Sequence, residues 1–195
     1  MSENQAVTTL SDENAFGVLI GYFALENDEY ALEPQDFAAR FAQFRAAVRA
    51  CVEAFPLAQS VLVRELGHAV YLEFADGDQK EDPIAWIKLV RARLNALELT
   101  SVGVLSHGGR WLTEEPEAPP VVSGVEWLSV SLPSEPLRRA LYAETAAHSA
   151  DDDDETGWGP GIYVDTEAVA ALGRALKNAP TPLAVAGATF FRAAR

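Results

Sequence analysis

The feature that most constrains this chain is the uncharged run Phe16-Gly17-Val18-Leu19-Ile20-Gly21-Tyr22-Phe23-Ala24-Leu25. Its length suits a strand, and apolar side chains fall at both odd and even positions. That pattern predicts a strand buried on both faces. The rest of the chain reads as elements arranged around it. Residues 34–55 carry Phe37, Phe41, Phe44, Val48, Cys51, Val52 and Phe55 at the three-and-four spacing of one helical face. Pro34 suits the first turn of that helix and Pro56 ends it. Two short β runs follow, Val61-Leu62-Val63 and residues 69–74, with Gly67 where a tight turn needs it. Asp82-Pro83 opens a second helix whose buried side holds Ile84, Ile87, Leu89, Val90, Leu94 and Leu97.

Val102-Gly103-Val104-Leu105 reads as a strand, and Gly108-Gly109 is expected to turn the chain towards Arg110-Trp111-Leu112. Residues 114–120 have loop composition, 125–131 read as a strand, and 134–148 as a helix with Ser134 as its cap. An acidic loop over Asp151, Asp152, Asp153, Asp154 and Glu155 leads to Gly157-Trp158-Gly159-Pro160-Gly161. A strand at 162–164, a helix at 166–176 and a hairpin turning at Gly187 complete the chain. Residues 1–14 are polar and expected to be flexible, leaving 15–195 as one α+β domain. The order β-α-β-β-α-β fits a ferredoxin-like split βαβ core, an antiparallel sheet with two helices on one face. A C-terminal β-α-β-α-β-β extension follows it.

A length of 195 residues suits one domain, and 49% hydrophobic residues supply its core. The formal net charge of −14 repels phosphate backbones and anionic lipid, so nucleic acid and membrane surfaces are excluded as partners. It favours a protein partner with a basic surface, and serves solubility equally well. The single cysteine, Cys51, excludes an internal disulfide and falls on the apolar helical face as a small hydrophobe. The N-terminus lacks a basic region followed by an apolar stretch, and no segment approaches the ~18 apolar residues of a membrane span. A cytoplasmic location is the expectation.

Catalytic signatures are sparse. His68, His107 and His148 lie in different elements, and none stands at metal-ligand spacing from another histidine or from the cysteine. Neither glycine fingerprint of a phosphate-binding loop is present, nor is a nucleophile elbow. The consecutive acids at 151–155 point in different directions and lack the alternating spacing of a calcium loop. They read as a solvated loop, or as bait for a basic partner. No catalytic residue, metal or other cofactor is therefore expected.

The stretch Val63-Arg64-Glu65-Leu66-Gly67-His68-Ala69-Val70-Tyr71-Leu72-Glu73-Phe74 resembles the central hairpin of class III nucleotide cyclases. That family writes valine-lysine, two residues, glycine-aspartate, then a short apolar strand ending in phenylalanine. Residues 18–23 resemble its first strand, 34–55 its first long helix, and 102–108 its strand ending in histidine- or threonine-glycine. Residues 132–141 resemble the segment carrying the catalytic asparagine and arginine. Residues 161–169 are similar to its strand-then-helix stretch, and 185–191 to its closing hairpin.

The resemblance implies a cyclase-like fold whose sites form between paired domains, and hence a homodimer. Cyclases hold two metal ions with two aspartates. Here those positions fall at Tyr22 and His68. The base-reading lysine becomes Arg64, the asparagine lands near Glu135, and the phosphate-binding lysine falls at Ala188. Only Arg139 matches, at the catalytic arginine. The resemblance thus implies a catalytically inactive cyclase-like domain acting as a protein-binding regulatory module. Asp151, Asp152, Asp153, Asp154, Glu155, Trp158 and Trp111 are the candidate contact residues, with buried core as the other reading of both tryptophans. Two other functions fit: an immunity protein neutralising a toxin, and an unusual nucleotide cyclase or nucleotide-binding protein.

Overall fold

A computed structural model describes residues 9–23, 34–112, 134–150, 157–173 and 181–194. The apolar run lies in β1 (Thr9–Tyr22), in the interior of a seven-stranded sheet of order β2-β3-β1-β4-β5-β7-β6. Its neighbours β3 (Ala69–Ala75) and β4 (Ser101–Leu112) both pair with it antiparallel. β2 (Leu62–Leu66) joins β3 as a hairpin. These four strands, with α1 (Pro34–Ala54) and α2 (Pro83–Asn95), are the split βαβ core expected from the sequence. β5 (Ile162–Asp165) extends the sheet by a parallel pairing with β4. The hairpin of β6 (Pro182–Val185) and β7 (Ala188–Ala194) closes the far edge. Ala186 and Gly187, at φ of 47° and 80°, make its turn.

Alternation along β1 explains why the run is apolar on both sides. Phe16, Val18, Ile20 and Tyr22 pack with Phe44, Val48 and Cys51 of α1 and with Ile87, Val90 and Leu94 of α2. Leu19 and Phe23 point the other way, into a second core with Leu137, Ala140, Ala143 and Ala147 of α3 (Glu135–His148). Each large buried side chain contributes roughly 1.5–3 kcal/mol, so helices on both faces hold the central strand. α3 comes close because β1 carries Gly17 and Gly21 on that face. A Cβ at Gly17 would stand 2.8 Å from Pro136 Cβ, and one at Gly21 would stand 2.8 Å from Oε1 of Glu144.

Helix starts follow local signals. Asp82 accepts from the Ile84 N–H to cap α2, Ser134 accepts from Leu137 N–H to cap α3, and Asp165 accepts from Ala168 N–H to cap α4 (Thr166–Ala171). β1 begins at Thr9, and residues 9–14 run alongside β4 with a register shift between Leu10 and Asn14. Two expectations are corrected. Gly108-Gly109 does not turn the chain, for β4 continues through it to Leu112 and pairs Gly108 with Ala15. Glycine is needed there for side-chain room: a Cβ on Gly108 would meet the Glu135 carboxylate at 2.8 Å. The last helix is also shorter than expected, capped at Leu172. The predicted loop at 114–120 and strand at 125–131 lie outside the described residues. Among the described residues, no helix is long and apolar enough to cross a membrane.

Candidate functional site

Tyr22 and His68 meet at one end of the sheet, where the Tyr22 N–H donates to the His68 carbonyl at 2.9 Å. The final residue of β1 thereby abuts the β2–β3 turn. A cavity of about 750 Å³ opens beside them. Tyr22, Phe37 and Phe41 give it an aromatic wall, with the Tyr22 and Phe41 rings edge-to-face at 5.8 Å. The polar side comes from Arg45 of α1, from His68 and from the last turns of α3, through Glu144 and His148.

His68, Glu144 and His148 form one cluster. His68 Nε2 lies 2.7 Å from Glu144 Oε1, and His148 Nε2 lies 2.8 Å from the same oxygen. The imidazoles stand nearly perpendicular, with ring centroids 5.6 Å apart. Glu144 is buried to 3% side-chain exposure, whereas His68 is 51% exposed. Burial pushes the Glu144 carboxyl upward, and the adjoining imidazoles of His148 and His68 more than reverse this, to about 2. His148 Nε2 is sealed from solvent yet out of line for a hydrogen bond to Glu144. Its ring packs on Phe23, with centroids 4.9 Å apart. Folding brings together two histidines and a glutamate whose ligand atoms all lie within 4.8 Å of one another. Glu144 and His148, one helical turn apart, were open to recognition as a pair; His68 was not.

The remaining histidine is elsewhere. His107 packs on Phe16 with ring centroids 4.7 Å apart, and its Nε2 lies 3.3 Å from Asp76. Arg139, the residue matched to the catalytic arginine, is held by acids of its own chain. It meets Glu135 at 2.5 Å, Glu167 at 2.7 Å and the fully buried Asp165 at 3.5 Å, and donates to the His107 carbonyl at 3.3 Å. Glu135 in turn accepts from the Gly109 N–H at 3.2 Å. Burial pushes the Asp165 carboxyl up to about 6, against the Ala168 and His107 N–H groups and the charge of Arg139. Arg64 lies on β2 opposite Tyr71, and Ala188 begins β7.

Trp158 is half-buried against Tyr163, at 4.7 Å between centroids, and edge-on to Phe190 at 6.1 Å. Its ring is thus part of the second core's border. Trp111 stands opposite Leu10 in the β1–β4 register. Asp151, Asp152, Asp153, Asp154 and Glu155 lie outside the described residues. Cys51 is buried in the first core, where desolvation pushes its thiol up.

No protein-family model and no curated protein sequence matches the chain. Solved structures do. The guanylyl cyclase Cya2 superposes with a TM-score of 0.57 at 9% identity, covering 94% of this chain and 93% of that one. The adenylyl cyclase CyaB from P. aeruginosa gives 0.57 at 10% identity, covering 92% and 93%. The monomeric guanylyl cyclase domain of the RhoGC fusion protein from the aquatic fungus Blastocladiella emersonii gives 0.55 at 10%, covering 96% and 99%. The chain has the α+β fold of the class III nucleotide cyclase homology domain.

Proposed function

We propose that this chain is a cyclase-fold domain that does not cyclise nucleotides and works by binding another protein. One observation carries the first half. At the junction of β1 with the β2–β3 turn, a phenol and an imidazole stand where the family resemblance calls for two carboxylates. Magnesium takes hard oxygen ligands, and neither Tyr22 nor His68 offers an anionic one. The state of Arg139 supports the same reading, since its charge is spent on Glu135, Asp165 and Glu167. Losing one stabiliser of developing charge costs about 10²–10³ in rate. Losing the metal carboxylates and the free arginine together removes the chemistry.

The second half rests on charge. A net −14 gives the surface a field that steers basic partners towards it. The acids at 151–155 and the tryptophans at 111 and 158 remain the contact candidates.

Incubation of the full chain with ATP or GTP and manganese tests the catalytic half; no cyclic nucleotide above the protein-free control is expected. Product that disappears on Arg139→Ala would sink it. Affinity capture from the native host with wild type, and with Asp151, Asp152, Asp153 and Asp154 each changed to Lys, tests the binding half. Capture should weaken in the variant and at raised salt. Unchanged capture removes that loop from the contact surface.

A further inference from the structure

The cavity beside Tyr22 has a floor whose chemistry differs from that of a magnesium site. We propose that His68, Glu144 and His148 bind a zinc-type transition-metal ion, whose remaining coordination position faces the cavity beside Tyr22 and Phe41. The inference is independent of whether the domain binds a protein.

Four observations point to a metal. First, the donor set is two imidazoles and one carboxylate, which suits zinc and its imidazole-seeking neighbours and suits magnesium or calcium poorly. Three protein ligands with one open position is the arrangement of zinc sites that accept an exogenous ligand. Second, the spacing is close to what coordination requires. His68 and His148 approach the same glutamate oxygen at 2.7 and 2.8 Å. Tetrahedral zinc, with bonds of about 2.0–2.1 Å, holds its ligand atoms roughly 3.4 Å apart, so both nitrogens would move out from the oxygen by roughly half an ångström, and all three ligand atoms already lie within 4.8 Å of one another.

Third, His148 Nε2 is poorly satisfied as it stands. It is shielded from water and misaligned with the carboxylate. A metal bond to its lone pair would give this buried nitrogen a directed partner. Fourth, the backbone is shaped around the carboxylate. Gly21 stands against Glu144 where a Cβ would meet Oε1 at 2.8 Å, so the strand leaves space for this acid. The ligands are also mounted on rigid parts: Glu144 and His148 share one face of α3, and His68 sits in the tight β2–β3 turn.

A plain His–Glu–His hydrogen-bonded cluster predicts none of the following. Chelator-stripped full-length chain titrated calorimetrically with zinc chloride should bind a single ion per chain, and titration with magnesium chloride should give no saturable heat. His68→Ala and His148→Gln should each lower zinc affinity by more than about 100-fold, because even outer-shell partners of a zinc site are worth about 10–100-fold. Glu65→Gln, an exposed acid on β2 paired with Arg45 and Arg49, should leave zinc affinity unchanged. Cobalt should give a visible ligand-field spectrum that both histidine variants lose. His68 is half exposed, so His68→Ala keeps the fold and its far-ultraviolet circular dichroism. Absence of saturable zinc binding by the wild type would overturn the proposal. So would zinc affinity undiminished in both histidine variants, since the ion would then sit on other acids.

Discussion

The two ends of α3 carry polar clusters built from similar residues and finished differently. At the N-terminal end, Arg139 is closed in by Glu135, Asp165 and Glu167, and Asp165 also accepts from the His107 and Ala168 N–H groups. Beside it, Glu73 accepts from Tyr71 at 2.9 Å and from the Ser134 cap at 2.5 Å. At the C-terminal end, Glu144 is shared by His68 and His148, His148 Nε2 lacks an aligned partner, and a cavity lies alongside. A saturated network in a low-dielectric setting rigidifies its surroundings. An unsaturated one beside open space is where a ligand has something to complete. The same helix is thus anchored at one end and available at the other.

The comparison breaks most readily at the anchored end. Arg139→Ala leaves Asp165 fully buried without its cation and should cost about 3–4 kcal/mol in urea unfolding. A cost under 1 kcal/mol would mean that the network is ornamental. The next effect is a pH slope. The Asp165 carboxyl is raised from 3.8 to about 6, so its contribution to stability is fully present below its unfolded value and is lost as pH rises through about 6. Asp165→Asn retains a good cap and should remove that slope. Relative to wild type, the variant should gain up to roughly 3 kcal/mol between pH 4 and 7. Parallel stability curves would refute the assignment.

At the open end, Gly21→Ala forces Glu144 to move and should cost about 1–3 kcal/mol as overpacking, with a matching loss of zinc affinity. The smallest effect sharpens the contrast. His68→Ala takes one imidazole from the buried Glu144 carboxylate and should cost about 1 kcal/mol of metal-free stability, because His148 stays beside the same oxygen. The same variant should abolish any rise in melting temperature produced by zinc.

How much of this was legible follows from the range of the interactions involved. The helix starts at Pro34, at Asp82-Pro83 and at Ser134, and the hairpin at Gly187, are local events and were readable. The start of β1 at Thr9 and the passage of β4 through Gly108-Gly109 were not, because partner strands on the far side of the chain's turns decide them. In the site, the residue types at Tyr22 and His68 were readable beside the family resemblance, whereas the meeting of His68, Glu144 and His148 was not. His68 and Glu144 are 76 positions apart.

Residue order alone determined the doubly buried strand, the split βαβ core, the strong negative charge and the residue types at the positions matched to cyclase chemistry. Periodicity and composition act over one turn or one strand, and those properties need nothing more. Tertiary structure decided which polar groups are quenched and which are left wanting a partner. It tied Arg139 to three acids and carried a turn histidine onto the end of a distant helix. Those outcomes depend on how closely α3 packs on β1, which is set by the summed contacts of both cores.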